Sequence, residues 1–114
     1  MARLTIRIDF DDGSGLGPGK VQLLELVART GSIRKAAAEL GMSYRKAWLL
    51  LQALKETFGM PLVETTAGGK SGGGTSLTTA GREVVIRYRN LECAAMKAAA
   101  PDLKALTRKR AKTS

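Results

Sequence analysis

Histidine is absent from this 114-residue chain, and cysteine occurs once, at Cys93. Without histidine there is neither a Ser-His-Asp relay nor a Cys/His zinc site, and the commonest general base is missing. A lone cysteine forms no intrachain disulfide. Its place in an expected helix gives it the role of a small buried hydrophobe rather than a reactive thiol. Aromatic residues make up only 4% of the chain. None clusters with basic residues on an amphipathic segment, which argues against a helix lying on a membrane surface. The apolar runs are far too short to cross a bilayer, and Met1 leads directly into strand-like sequence without a charged-then-apolar leader. The expectation is a cytoplasmic, soluble protein with no membrane role, no metal, no cofactor and no enzymatic constellation.

Acidic residues are scarce as well: 10 Asp and Glu stand against 19 Lys and Arg, a formal charge of +9. Such an excess favours a polyanionic partner, nucleic acid above all. An apolar content of 44% in a chain of this length supports one folded domain around one modest core.

The stretch from Thr30 to Gly59, TGSIRKAAAELGMSYRKAWLLLQALKETFG, reads as two helices joined by a tight turn. Ser32 is placed to cap the first, which carries Ile33, Ala36, Ala37 and Leu40 on one side and Arg34, Lys35 and Glu39 on the other. Gly41 supplies the left-handed residue that ends it. Met42 is expected as a buried plug, and Ser43 as the cap of the second helix. That helix collects Ala47, Leu50, Leu51, Leu54 and Phe58 within one face at roughly 100° per residue. Arg45, Leu49, Gln52 and Glu56 point away from it, with Lys46 to one side and Trp48 to the other. Small Ala37, the glycine turn and apolar Ala47 and Leu50 have the spacing of a helix-turn-helix. A basic pair then opens the second helix, where base edges and phosphates would lie.

Before this unit, residues 3–10 alternate, with Leu4, Ile6, Ile8 and Phe10 on one face, as a half-buried β-strand does. DDGSG, Asp11 to Gly15, reads as a turn. A calcium loop is excluded because its twelfth position, which requires glutamate, is Lys20. Pro18 suits the first turn of a helix whose apolar face, Val21 to Ala28, is wide enough that part of it could serve a subunit interface.

After Phe58, Pro61 forbids helix. Leu62 to Thr65 and Thr75 to Leu77 are strand-like about a flexible glycine tip, Gly68 to Gly74, which carries Lys70 and Ser71. A β-hairpin directly after the second helix of a helix-turn-helix is a wing, and its glycines allow main-chain N–H groups to reach phosphate. GGKS is not a Walker A loop, because the required first glycine falls at Glu64 and a strand follows. Thr78 or Thr79 caps a long helix, from about Ala80 to Ala99, bearing a stripe of Val84, Tyr88, Leu91 and Ala95. At about 30 Å it outruns so small a core, so its far half is expected to pair with a second subunit. Pro101 is expected to end it. The domain would then span residues 1–100, and the basic segment 101–114 would be a disordered tail.

Taken together, GPG before helix one, TGSI, AA…LGMSY-R-AW, PLV, GGK-GGG and LT–G resemble the N-terminal DNA-binding domain of the molybdate-responsive ModE regulators, a winged helix related to that of LysR-type proteins. The resemblance covers roughly Gly15 to Tyr88. It implies an α+β winged helix-turn-helix, mainly helical with a small sheet, in which the N-terminal strand joins the wing strands. It also implies a homodimer on double-stranded DNA. The second helix of the motif would enter the major groove, with Ser43, Tyr44, Arg45, Lys46 and Gln52 at the bases. Arg34, Lys35, Lys70, Ser71 and the tail would hold phosphates. Within these 114 residues there is no S-A-R-N-type oxyanion segment, so molybdate sensing is not expected to carry over. Leu49 puts an apolar group where relatives often have an acid. The alternative function is a protein-interaction module that docks on a separate sensor or regulator, for which the wide apolar helix faces speak.

Overall fold

The computed structural model describes residues 2–69 and 72–110. Its elements run β1 (Ile8–Asp9), β2 (Gly15–Leu16), α1 (Pro18–Thr30), α2 (Ile33–Glu39), α3 (Tyr44–Phe58), β3 (Val63–Gly69), β4 (Gly72–Leu77) and α4 (Thr79–Lys109). This is the expected mainly helical winged helix-turn-helix.

Helix α1 is the hub. Pro18 opens it, and Gly31, at φ 70°, closes it by donating its N–H to the Val27 carbonyl at 2.8 Å. Its apolar face was wide enough to suggest a subunit interface, but Val21, Leu23, Leu24, Leu26 and Val27 are all buried in the chain's own core. The width is used up because α1 touches α2, α3, β4 and α4 at once. Ala36, Ala37, Ala47, Leu51, Leu54, Leu62, Leu77 and Tyr88 complete that core. Met42, expected as a buried plug, packs against it only half-buried.

The N-terminal strand differs from expectation. Only Ile8–Asp9 forms a ladder, pairing with Gly15–Leu16, and it does not join the wing: β1–β2 and β3–β4 are two separate antiparallel pairs. The tight turn is the cause. Asp12 Oδ1 accepts from both the Ser14 N–H (2.9 Å) and the Ser14 hydroxyl (2.6 Å), and Gly13 takes φ 89°. Those bonds also hold the Asp12 carboxyl below its usual range. The chain therefore folds straight back, and α1 starts too soon to leave a strand opposite residues 3–7. That segment anchors to α4 instead. The Tyr88 hydroxyl donates to the Ile6 carbonyl at 2.7 Å, and the Leu4 N–H to Met96 Sδ at 3.3 Å. Burial pushes the Tyr88 phenol above its usual range, which keeps it a donor.

The wing strands reach into the glycine stretch assigned to the tip. Val63 faces Leu77 and Thr65 faces Thr75, and an irregularity between Thr66 and Gly69 places an extra residue in β3, as a bulge does. The Thr75 N–H seats the hairpin on the end of α1 through the Gly31 carbonyl (2.9 Å), and the Thr78 N–H closes the hairpin's base on the Leu62 carbonyl (3.0 Å).

Thr78 caps α4, its hydroxyl accepting from the Gly81 N–H at 3.0 Å. Pro101 does not end this helix, which continues to Lys109, so residues 101–109 are helical rather than a disordered tail. Proline removes one i→i−4 bond, but the carbonyl it leaves open belongs to Lys97, an exposed residue that water can reach. Ala98, Ala99 and Ala100 before it are the strongest helix formers. Residues 111–114 lie outside the described part. Arg89 ties α4 to α1 through a two-pronged pair with Glu25 (2.6 and 2.9 Å) and a further pair with Glu92. Glu25 first, then Glu92, holds its guanidinium above the usual arginine range. Cys93, expected as a buried hydrophobe, is exposed, because α4 has already passed the core there. The molecule is accordingly elongated, 58 × 35 × 21 Å.

Candidate nucleic-acid interface

The geometry of the turn follows from its capping residues. Ser32 Oγ accepts from the Lys35 N–H at 3.1 Å, and Ser43 Oγ from the Lys46 N–H at 3.0 Å. Each satisfies an orphan donor that would otherwise fray the helix start. Gly41 sits at φ 68°, in the left-handed region where a side chain is strained. The following Met42 N–H returns to the Ala37 carbonyl at 3.0 Å. Ala36, Ala37 and Ala47 are fully buried, and these small residues let α2 and α3 pack closely.

The opposite side of α3 faces solvent. Tyr44, Arg45, Lys46, Trp48, Leu49, Lys55 and Glu56 are exposed there, while Gln52 is half-buried. On α2, Arg34 and Lys35 are exposed, and the Arg34 guanidinium lies 4.7 Å from the centre of the Tyr44 ring. This cation–π contact links α2 to the first residue of α3 and holds a positive charge at the mouth of a trough. Gly31, Ser32, Ile33, Arg34, Tyr44, Thr65, Thr66, Gly74 and Thr75 line that trough, between the start of α2 and the wing. Trp48 shares a second crevice with Ile33, Gln52, Lys55 and the wing-root residues Val63 and Thr65.

Four of the described arginines are paired with carboxylates. Arg7 pairs with Asp9, Arg29 with Glu39, Arg87 with Glu83, and Arg89 with Glu25 and Glu92. Among the described residues, Arg34, Lys35, Arg45 and Lys46 have no carboxylate partner. Six of the expected DNA contacts, Arg34, Lys35, Ser43, Tyr44, Arg45 and Lys46, thus come together around the start of α3. Gln52 lies two turns further along. Lys70 and Ser71 lie outside the described residues. Trp48 and Leu49 are exposed on α3 as well, beyond the expected contact set, and the outward periodicity already places Leu49 there.

The stripe expected on α4 is divided. Tyr88 is fully buried in its own chain and Val84 packs on the core, whereas Leu91 is exposed and Ala95 half-buried. An apolar groove of about 350 Å³ runs beside it, lined by Ile8, Phe10, Phe58, Met60, Val84 and Leu91, with Glu83 and Arg87 also on its wall. Ile86 and Leu106 are exposed too. Among the described residues there is no cluster of three metal-ligating side chains, and no helix is long and apolar enough to cross a membrane.

The model of the bacterial regulatory helix-turn-helix proteins of the lysR family matches residues 19–82, from the start of α1 through the wing into α4. The chain belongs to that family. It is 41% identical over 92 residues to the molybdenum transport protein ModE of Azotobacter vinelandii, covering 81% of this chain and 33% of that protein. It is 40% identical over 89 residues to the transcriptional regulator ModE of Haemophilus influenzae, covering 78% and 35%. The resemblance to ModE read from the motifs therefore holds, and the chain spans about a third of the length of these curated relatives. Among solved structures, the complex of CbnR_DBD with DNA matches with a TM-score of 0.58 at 24% identity, over 77% of this chain and 95% of that one. That likeness is one of fold. It places the lysR-family helix-turn-helix and its wing in the same arrangement.

Proposed function

We propose that this lysR-family chain is a sequence-specific regulator of transcription that binds double-stranded DNA as a homodimer in the cytoplasm. The observation that carries the reading is a cluster of exposed cations. Arg34, Lys35, Arg45 and Lys46 are all exposed about the start of α3, and none has a carboxylate partner among the described residues. An uncompensated cluster at the N-terminal turn of a helix-turn-helix second helix suits phosphates and base edges. In this reading Arg34 and Lys35 hold phosphate, with Lys70 and Ser71 of the wing. Ser43, Tyr44, Arg45, Lys46 and Gln52 face bases. The exposed Leu91 and half-buried Ala95 of α4 pair with a second copy, with Val84 at the edge of that contact.

The second reading, a module docking on a separate sensor, draws on the exposed Ile86, Leu91 and Leu106 of α4. A gel shift on random-sequence duplexes at two salt concentrations separates the two. Retarded complexes that weaken with salt support DNA binding, and no complex at either salt supports the docking module. Oxyanion sensing is not part of the proposal for these 114 residues. A small dianion needs several converging donors to replace its hydration, and an exposed loop loses too much entropy on ordering to supply them.

A further inference from the structure

Leu49 is 48% exposed in the middle of the surface proposed to read DNA. It lies one turn beyond Arg45 and one turn before Gln52, so on a 3.6-residue helix the three form one stripe. Polar and charged groups at either end of that stripe are ordinary readers of purine edges. A leucine between them offers no hydrogen bond, and half its surface is left in water in the free protein. Trp48, its neighbour, lies in the crevice against the wing root with Ile33, Val63 and Thr65. Leu49 is not among the residues of that crevice.

We infer that Leu49 is a specificity-determining residue that reads the 5-methyl group of thymine in the major groove. This rests on the DNA-binding reading above. The methyl is the one apolar feature that distinguishes a base there, and it is recognised by apolar contact rather than hydrogen bonding. The cations around the start of α3 draw the helix against the phosphates, which brings the Leu49 side chain to the groove floor rather than to a protein surface. Register follows from the helix. Four residues at 1.5 Å each carry Leu49 roughly 6 Å past Arg45, about two base-pair steps of roughly 3.4 Å. The thymine read by Leu49 therefore lies about two base pairs from the one read by Arg45.

The test starts from duplexes selected by the full chain from a random-sequence pool. Each thymine of the enriched site is replaced singly by deoxyuridine, which removes the methyl and leaves pairing intact. For the natural chain, uracil at one thymine about two base pairs from the position whose preference Arg45→Ala relaxes should weaken binding roughly four-fold. That is the weight of one buried methyl-sized group. Leu49→Ala should bind thymine and uracil at that position equally, and Leu49→Met should keep the discrimination. Because Leu49 is outside the core, circular dichroism should show both variants folded as the natural chain is. Uracil tolerated at every position, or a thymine preference that survives in Leu49→Ala, would overturn the inference while leaving DNA binding standing. A pool in which no sequence is enriched would overturn both.

Discussion

Gly81 sits where a methyl group has no room. A Cβ built there would lie 2.1 Å from the Leu62 carbonyl oxygen, which also accepts the Thr78 N–H. Alanine is the better helix former by about 1 kcal/mol, so propensity alone favours the substitution. Backbone contact at that distance forces α4 away from the wing root, and such overpacking costs about 1–3 kcal/mol. The clash should win: Gly81→Ala should lower the denaturation midpoint in urea, and an unchanged or higher midpoint would show that α4 can shift freely. Arg45 belongs to the same scale. It is exposed in the first turn of α3 and unpaired among the described residues, so Arg45→Ala should leave the urea midpoint in place. It should cost about 1–3 kcal/mol of binding at a preferred site and relax preference at one position. Equal weakening on all sequences, with a shallower salt dependence, would assign it to phosphate alone.

Among the elements, α4 is the least settled by its own core. It runs from Thr79 to Lys109, yet its buried residues are Gly81 and Tyr88. Leu91, 49% exposed beside the apolar groove, is the place to test pairing. Leu91→Glu should give monomers by light scattering and bind DNA poorly, since two half-sites then lose their link. An unmutated chain that is already monomeric at micromolar concentration would end the dimer proposal. The same element shows where sequence reading succeeds and fails. Ser32 and Ser43 were legible because capping is local: a hydroxyl and the N–H three residues on decide it, and Gly41 because a left-handed helix end favours glycine. Pro101 misled because its penalty depends on whether the opened Lys97 carbonyl meets water, which the sequence does not record. The pairing of residues 3–7 misled for another reason. Alternation reveals which side chains turn inward, and Ile6, Ile8 and Phe10 do pack on the core, but it cannot say whether another strand lies within reach. Tyr88 fitted a dimer stripe by spacing alone. Only packing shows that the chain's own core claims it.

For the whole molecule, the formal charge of +9 gives a measurable expectation. Three cations per subunit are assigned to phosphate, Arg34, Lys35 and Lys70; they make six in a dimer, and the logarithm of affinity should fall against that of salt with a slope of about −5. Arg34→Ala should flatten the slope by roughly one for each subunit. A slope near zero would mean that the charge cluster does not meet DNA. Calorimetry of the same chain with molybdate should detect no site tighter than about millimolar, for want of converging donors. The reach of α4 beyond Tyr88 has one more consequence. Its backbone N–H groups from about residue 95 onward are shielded by helix hydrogen bonds but by no buried side chain of their own subunit. In an isolated subunit they should trade hydrogen for deuterium nearly as fast as a free helical peptide. Once a second copy covers that helix, the same amides become the slowest clock its association can set, so deuterium uptake there would measure subunit dissociation without any label or DNA.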